Sequence, residues 1–226
     1  MVVTAGQEDS PDARKALEFL CYRYWSPLYV YLRRRGYEKA QAEDLVQGFF
    51  AHLLEKDGLR NVEPGKYRFR SYLLASLKHF LVDEWRRSQA ERRGGGRRIM
   101  SLEFERAETW YSLEPADRLS ADRLFDRSWA MTVIERAMDA LEREYVETGK
   151  GELFRLLKDH VTAAPEAGFY RHSAERLEMS EGALRVAAHR LRRRLRELIR
   201  SEIAETVATA EQLDEEIRDL FTAFER

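Results

Sequence analysis

The amino-acid sequence predicts an all-α protein made of two helical domains, a linker between them and a helical tail. Three observations carry that prediction. Apolar residues recur three and four positions apart through most of the chain, the period of one helix face. No segment alternates apolar and polar residues as a half-buried strand does. Only five of the 226 residues are proline, so little interrupts a helical ladder. A hydrophobic fraction of 44% supplies enough apolar side chains for real cores, and 35% charge gives the helices solvated faces.

The first domain is expected over residues 11–93. Phe19, Tyr22, Leu28, Tyr31 and Leu32 share a helix that ends after Arg33, Arg34 and Arg35 at Gly36. Cations suit a helix C-terminus, and Gly suits the stop. From Glu38 onward, Ala42, Leu45, Val46, Phe49, Phe50, Leu53 and Leu54 form a wide apolar stripe. The stretch "KDGLRNVEPGKYR" holds Gly58, Pro64 and Gly65 and reads as a loop. A third helix starts near Phe69 and carries Tyr72, Leu73, Leu77, Phe80, Leu81 and Trp85 before dissolving into "RRSQAERRGGGRR". Three helices with a shared apolar stripe make a compact bundle.

Residues 94–123 are the expected linker. They lack a sustained period and contain three consecutive glycines and Pro115, while Leu102, Phe104, Trp110 and Tyr111 suggest contact with a surface. The second domain is expected over residues 124–200. Trp129, Val133, Ala137, Leu141 and Tyr145 recur at every fourth position, and "ETGKG" breaks that helix. Leu153, Phe154, Leu156, Leu157 and Val161 form the next helix, which "TAAPEAG" ends. Residues 201–226 are an acidic amphipathic tail with Leu213, Ile217, Leu220 and Phe224 on one face.

Charge narrows the functional classes. The net charge is only -1, but it is segregated. Basic residues greatly outnumber Asp83, Glu84 and Glu91 between Lys66 and Arg98, and arginines outnumber Glu197 between Arg185 and Arg200. Two basic blocks on a neutral chain read as two nucleic-acid footprints. The single cysteine, Cys21, reads as a small buried hydrophobe. No signal-peptide pattern and no membrane-length apolar run are present, so a cytoplasmic location without membrane insertion is expected. No enzyme and no cofactor are expected. His79 with Asp83 or Glu84 lacks a third ligand, and "RRGGGRR" lacks the strand and helix that make a phosphate loop.

The stretch "YRHSAERLEMSEGALRVAAHRLRRRLRELI" reads as two short-linked helices. Ala174 supplies a small contact, Leu177 and Met179 bracket the turn, and Leu184, Ala187, Ala188 and Leu191 supply a buried face. Ser180 is a good N-cap, and Glu181 favours the positive helix end. A helix-turn-helix would then place Glu181, Arg185, Val186 and His189 where base edges are read, with Arg190, Arg192, Arg193, Arg194 and Arg196 further along toward phosphates. A basic surface helix is the alternative on these residues alone. Glu178 stands where the turn favours Gly.

The first domain carries a resemblance. "AEDLVQGFFAHLL" followed by "FRSYLLASLKHFLVDEWRR" resembles region 2 of bacterial sigma-70-type factors of the extracytoplasmic function group, which pair it with a helix-turn-helix region 4. The resemblance covers roughly Ala13 to Arg93 and Tyr170 to Arg200. It implies core RNA polymerase as a partner, through the β′ clamp helices and the β flap, with Glu43, Asp44 and Gln47 as candidate contacts. It also implies promoter DNA as a partner. Tyr67, Arg68, Arg70, Lys78, His79, Arg86 and Arg87 would meet the minus-ten element, where aromatics and cations suit a melted strand. Ser180, Glu181, Arg185, Val186, His189, Arg190 and Arg193 would meet the minus-thirty-five element. An anti-sigma factor is a further partner the resemblance allows.

The chain departs from that pattern. The segment before region 4 is long and lacks a Leu-Pro start, "HSA" replaces Glu-Ile-Ala, and His79 stands where Asn is frequent. The acidic tail is an addition, expected to pack on region 4, to restrain its basic helix, or simply to complete a small core. Two other readings stay open: a helix-turn-helix regulator that recruits no polymerase, and a helical adaptor for protein or RNA.

Overall fold

The computed structural model describes residues 11–55, 68–90, 104–113, 119–161 and 166–225. Among these, all regular structure is helical. Helices α1 (Pro11–Arg34), α2 (Lys39–Glu55), α3 (Phe69–Ala90), α4 (Phe104–Leu113) and α5 (Ala121–Glu147) are followed by α6 (Gly151–Leu157), which runs into a 3-10 turn. Then come α7 (Phe169–Arg176), α8 (Glu181–Ala204) and α9 (Ala210–Thr222). The chain forms two compact units, residues 1–132 with 203–226, and residues 133–202.

In the first unit α1 packs against α2, α3 and α4, and α2 against α3. Leu20, Tyr24, Leu28, Tyr29 and Leu32 of α1 meet Ala42, Val46, Phe49, Phe50 and Leu53 of α2 and Phe69, Leu73, Leu77 and Phe80 of α3 in the core, all buried. Phe49 and Phe80 lie with ring centres 5.6 Å apart, and Tyr24 meets Phe69 edge-on at 5.2 Å. Such offset ring pairs add to the energy of area burial. Helix α1 ends at Gly36, whose φ of 92° lets the Tyr37 amide reach back to the Leu32 carbonyl at 3.2 Å. Cys21 is buried, and burial pushes its thiol up to about 12, far from the range of a reactive cysteine.

The linker expectation is corrected over residues 104–113. Residues 104–113 form α4 and dock on α1, because an apolar end and a carboxylate both find partners there. Phe104 packs against Trp25 and Tyr29, each ring pair at 5.2 Å. Glu108 takes a forked pair of bonds from Arg33, both 2.8 Å, and a third from the Tyr29 hydroxyl at 2.6 Å. Residues 94–103 and 114–118 lie outside the described residues.

The boundary at residue 124 also moves. Leu124, Phe125, Trp129 and Ala130 of α5 are buried in the first unit, and the second unit begins at Val133. The tail belongs to the first unit, not to the helix-turn-helix. Thr209 caps α9 by accepting from the Gln212 amide, while the Gln212 side chain accepts from the Ala208 amide at 3.0 Å. That reciprocal pattern fixes where the tail helix begins.

The second unit has its own core. Ala137 and Leu141 of α5, Phe154 and Leu157 of α6, Ala174 of α7, and Leu184, Ala188, Leu191 and Leu195 of α8 form one buried cluster. Gly149, with φ of 71°, ends α5 as Gly36 ends α1. Leu177 is half-buried as expected, but Met179 is 36% exposed and only its backbone serves the turn.

Candidate nucleic-acid and partner surfaces

The turn between α7 and α8 is built as a left-handed helix stop. Glu178 has φ of 52°, the only positive φ on a non-glycine among the described residues. Its amide bonds to the Glu175 carbonyl at 3.3 Å, and the Met179 amide reaches the Ala174 carbonyl at 2.9 Å. This pair of bonds satisfies carbonyls that the end of α7 would otherwise orphan. Ser180 then caps α8, its hydroxyl accepting from the Ala183 amide at 3.2 Å.

Beyond that cap, α8 exposes Glu181, Arg185, Val186, His189, Arg190 and Arg193 on its open side. Arg185 bonds Glu181 at 2.6 Å, and its guanidinium stands 4.5 Å from the centre of the Tyr170 ring. These contacts hold a planar cation at the start of α8. Not every arginine of α8 is on offer. Arg192 donates to the His160 carbonyl at 2.8 Å, and Arg194 makes a fork onto Glu144 of α5 at 2.9 and 2.7 Å. The hydrogen bonds from Arg194 hold the Glu144 carboxyl below its ordinary range. Both arginines therefore tie α8 to its neighbours.

The expected minus-ten-like set divides. Tyr67 and the Arg87 side chain lie outside the described residues. Lys78, His79 and Arg86 are exposed on α3. Lys78 bonds Asp122 at 2.9 Å, and Arg86 reaches Asp83 at 3.5 Å. Arg70 corrects the expectation: it is 5% exposed and cannot lie on an open face. Its guanidinium donates to Glu216 at 3.0 Å, to Asp219 at 2.7 Å and to Asp126, and it stacks 4.2 Å from the centre of the Trp129 ring. Arg68 is half-buried and also pairs with Asp219. Burial pushes the Glu216 carboxyl up despite Arg70 beside it, and Asp126 follows for the same reason. A cleft of about 270 Å³ beside this cluster is lined by Arg70, Arg123, Asp126, Asp219, Thr222 and Ala223. Both of its guanidiniums are engaged, Arg123 with the Glu225 carbonyl at 2.9 Å.

On α2, Asp44 is exposed and Glu43 half-buried, but Gln47 is 7% exposed. It sits one turn beyond Glu43, on the side of α2 that Ala42, Val46 and Phe50 turn toward the core, so its amide is spent inside the unit. Trp85, which shares the helical register of α3's apolar residues, is 64% exposed beside Val82 at 47%. The signal available was position: no described side chain of α3 beyond Phe80 is buried. No His, Cys, Asp and Glu group suited to a metal exists among the described residues, and no described helix is long and apolar enough to cross a membrane.

No family model, curated protein or solved structure matches the chain.

Proposed function

We propose that the chain acts as a sigma factor of the extracytoplasmic function type, bringing core RNA polymerase to a subset of promoters and contacting both promoter elements. The observation that carries this reading is the α7–turn–α8 geometry. A left-handed stop at Glu178 and a hydroxyl cap at Ser180 launch a helix whose first turns expose Arg185, Val186, His189 and Arg190. That is the arrangement by which a recognition helix enters a major groove. The "AEDLVQ" and "FRSYL" motifs add the polymerase-binding half by resemblance. On α2 the contact falls to Asp44 and Glu43, since Gln47 is buried.

The burial of Gln47 also favours a second reading, a helix-turn-helix regulator that recruits no polymerase. Capture of purified bacterial core polymerase by the full chain separates the two. The first reading expects stoichiometric capture, weakened severalfold by Asp44→Ala and unaffected by His189→Ala. No capture by the unaltered chain would leave the regulator.

A further inference from the structure

The guanidinium at the start of α8 is set by a residue outside that helix. Arg185 lies four residues after Glu181, and helical side chains lean toward the N-terminus, so its charge covers the first turn. That is the end a recognition helix turns to base edges. Glu181, Gly182, Ala183 and Val186 around it are all exposed, and a Cβ built on Gly182 would meet nothing within 4 Å. Glu181 accepts from Nε at 3.1 Å and from Nη2 at 2.6 Å, both through Oε1. The flat side of the guanidinium stands 4.5 Å from the centre of the Tyr170 ring.

Tyr170 is itself held. It is half-buried and packs against the second unit's core. Phe169 meets it edge-on at 5.4 Å, and the His160 ring lies 4.0 Å from Phe169. Arg192 donates to the His160 carbonyl at 2.8 Å. A row of rings thus runs from the 3-10 turn after α6, across the start of α7, to Arg185. The side chains of Arg185 and Glu181 are 59% and 45% exposed, so their ion pair and the ring contact add little to stability. What the row supplies is orientation. A long side chain placed before its ligand arrives loses less freedom on binding.

The orientation selects the ligand. Glu181 takes the Nε edge, which leaves Nη1 and the second hydrogen of Nη2 as a two-donor fork. In the major groove guanine presents two acceptors side by side, N7 and O6, whereas adenine sets a donor beside its N7. The cytosine paired with that guanine offers its N4 amino group to a carboxylate, so Glu181 keeps a partner too.

We propose that Tyr170 is a positioning residue that holds Arg185 to read the guanine of a G·C pair in the major groove. This rests on the DNA-reading half of the proposed function, names the base at that site, and is independent of polymerase recruitment.

The test begins with selection of duplexes from a random-sequence pool by the full chain at low salt. The enriched duplex is remade with adenine, or with 7-deazaguanine, at each enriched guanine. Anisotropy then compares the unaltered chain with Arg185→Ala, Tyr170→Met and Tyr170→Phe, with circular dichroism checking helix content. At one guanine either replacement should cost the unaltered chain about tenfold in affinity. That penalty should shrink to about twofold or less in Arg185→Ala and Tyr170→Met, and return in Tyr170→Phe, which keeps the ring. The penalty is a ratio between two duplexes for one protein sample, so partial unfolding of a variant does not move it. Tyr170→Met that weakens both duplexes equally and keeps the tenfold ratio overturns the proposal, as does a ratio that survives Arg185→Ala. Enrichment of sequences without such a guanine overturns it as well and leaves DNA reading standing. A pool from which the unaltered chain enriches nothing sinks the DNA-reading function itself, and the proposal with it.

Discussion

Replacing Glu216 tests whether the tail is part of the first unit's core or a detachable appendage. Glu216 is 2% exposed and its partner Arg70 is 5% exposed, with 3.0 Å between the charged atoms. Removing one member of a buried pair leaves the other uncompensated, at about 3–5 kcal/mol. Arg70 keeps Asp126 and Asp219, whose side chains are 44% and 37% exposed, so Glu216→Ala belongs at the lower end, about 3 kcal/mol. Glu216→Gln keeps the volume and an acceptor and should cost about 1–2 kcal/mol. Urea unfolding followed by tryptophan emission reports on this cluster directly, because Trp129 lies against Arg70. In a thermal scan the Ala variant should melt about 6–12 °C lower. The double variant Arg70→Met/Glu216→Leu should recover most of the loss, since neither charge is then stranded. The reasoning fails if Glu216→Ala shifts stability no more than the exposed control Glu215→Ala, or if removing residues 202–226 leaves the first unit's transition unchanged.

Three further outcomes follow from the geometry. Glu178→Gly should stabilise the second unit by about 1 kcal/mol, by relieving a left-handed residue that carries a Cβ; a lower urea midpoint would contradict the strained-turn account. At Glu108, hydrogen bonds from Arg33 and Tyr29 outweigh burial and hold the carboxyl below its ordinary range. Its contribution is therefore present above the unfolded carboxylate value of about 4.3 and lost as pH falls through the lower folded value. The stability gap between the unaltered chain and Glu108→Gln should be open at pH 7 and close in acid; a gap independent of pH would refute the pairing. On α8, Arg190→Ala should flatten the log–log salt dependence of duplex binding by about 0.9, while Arg194→Ala should lower stability and leave the slope unchanged. Anisotropy titrations across a salt series read both.

Periodicity made the helices legible, and with them most of the core, since an apolar residue in a wide stripe has few places to go but inward. The left-handed turn at Glu178 and the cap at Ser180 were legible for a similar reason: their chemistry is local. What escaped were contacts made at long range. The carboxylate that buries Arg70 comes from Glu216, 146 residues later, so nothing near Arg70 announced it. Glu108 likewise depends on Arg33, 75 residues away, and residues 104–113 looked like linker without that partner. An acidic amphipathic tail is complementary to either basic block, and charge alone could not choose between them. Trp85 kept the helical register of its neighbours, but no described side chain of its helix beyond Phe80 is buried.

The arginines separate by what stands opposite them. Arg70, Arg192 and Arg194 face acceptors supplied by other helices of their own units, and they do the work of packing. Arg86 and Arg193 each pair with one neighbouring carboxylate, and Lys78 and Arg185 each with a carboxylate and a ring, on faces that remain open. A surface ion pair of this kind is worth little, so phosphate can displace the carboxylate at small cost. The buried pair of Arg70 with Glu216 cannot be exchanged that way, because breaking it strands a charge. The basic blocks read from sequence thus overstate how many of these cations are open to solvent. On α3, Lys78, His79 and Arg86 are exposed, while Arg70 is buried and the tail's carboxylates hold it at the N-terminal end of the helix.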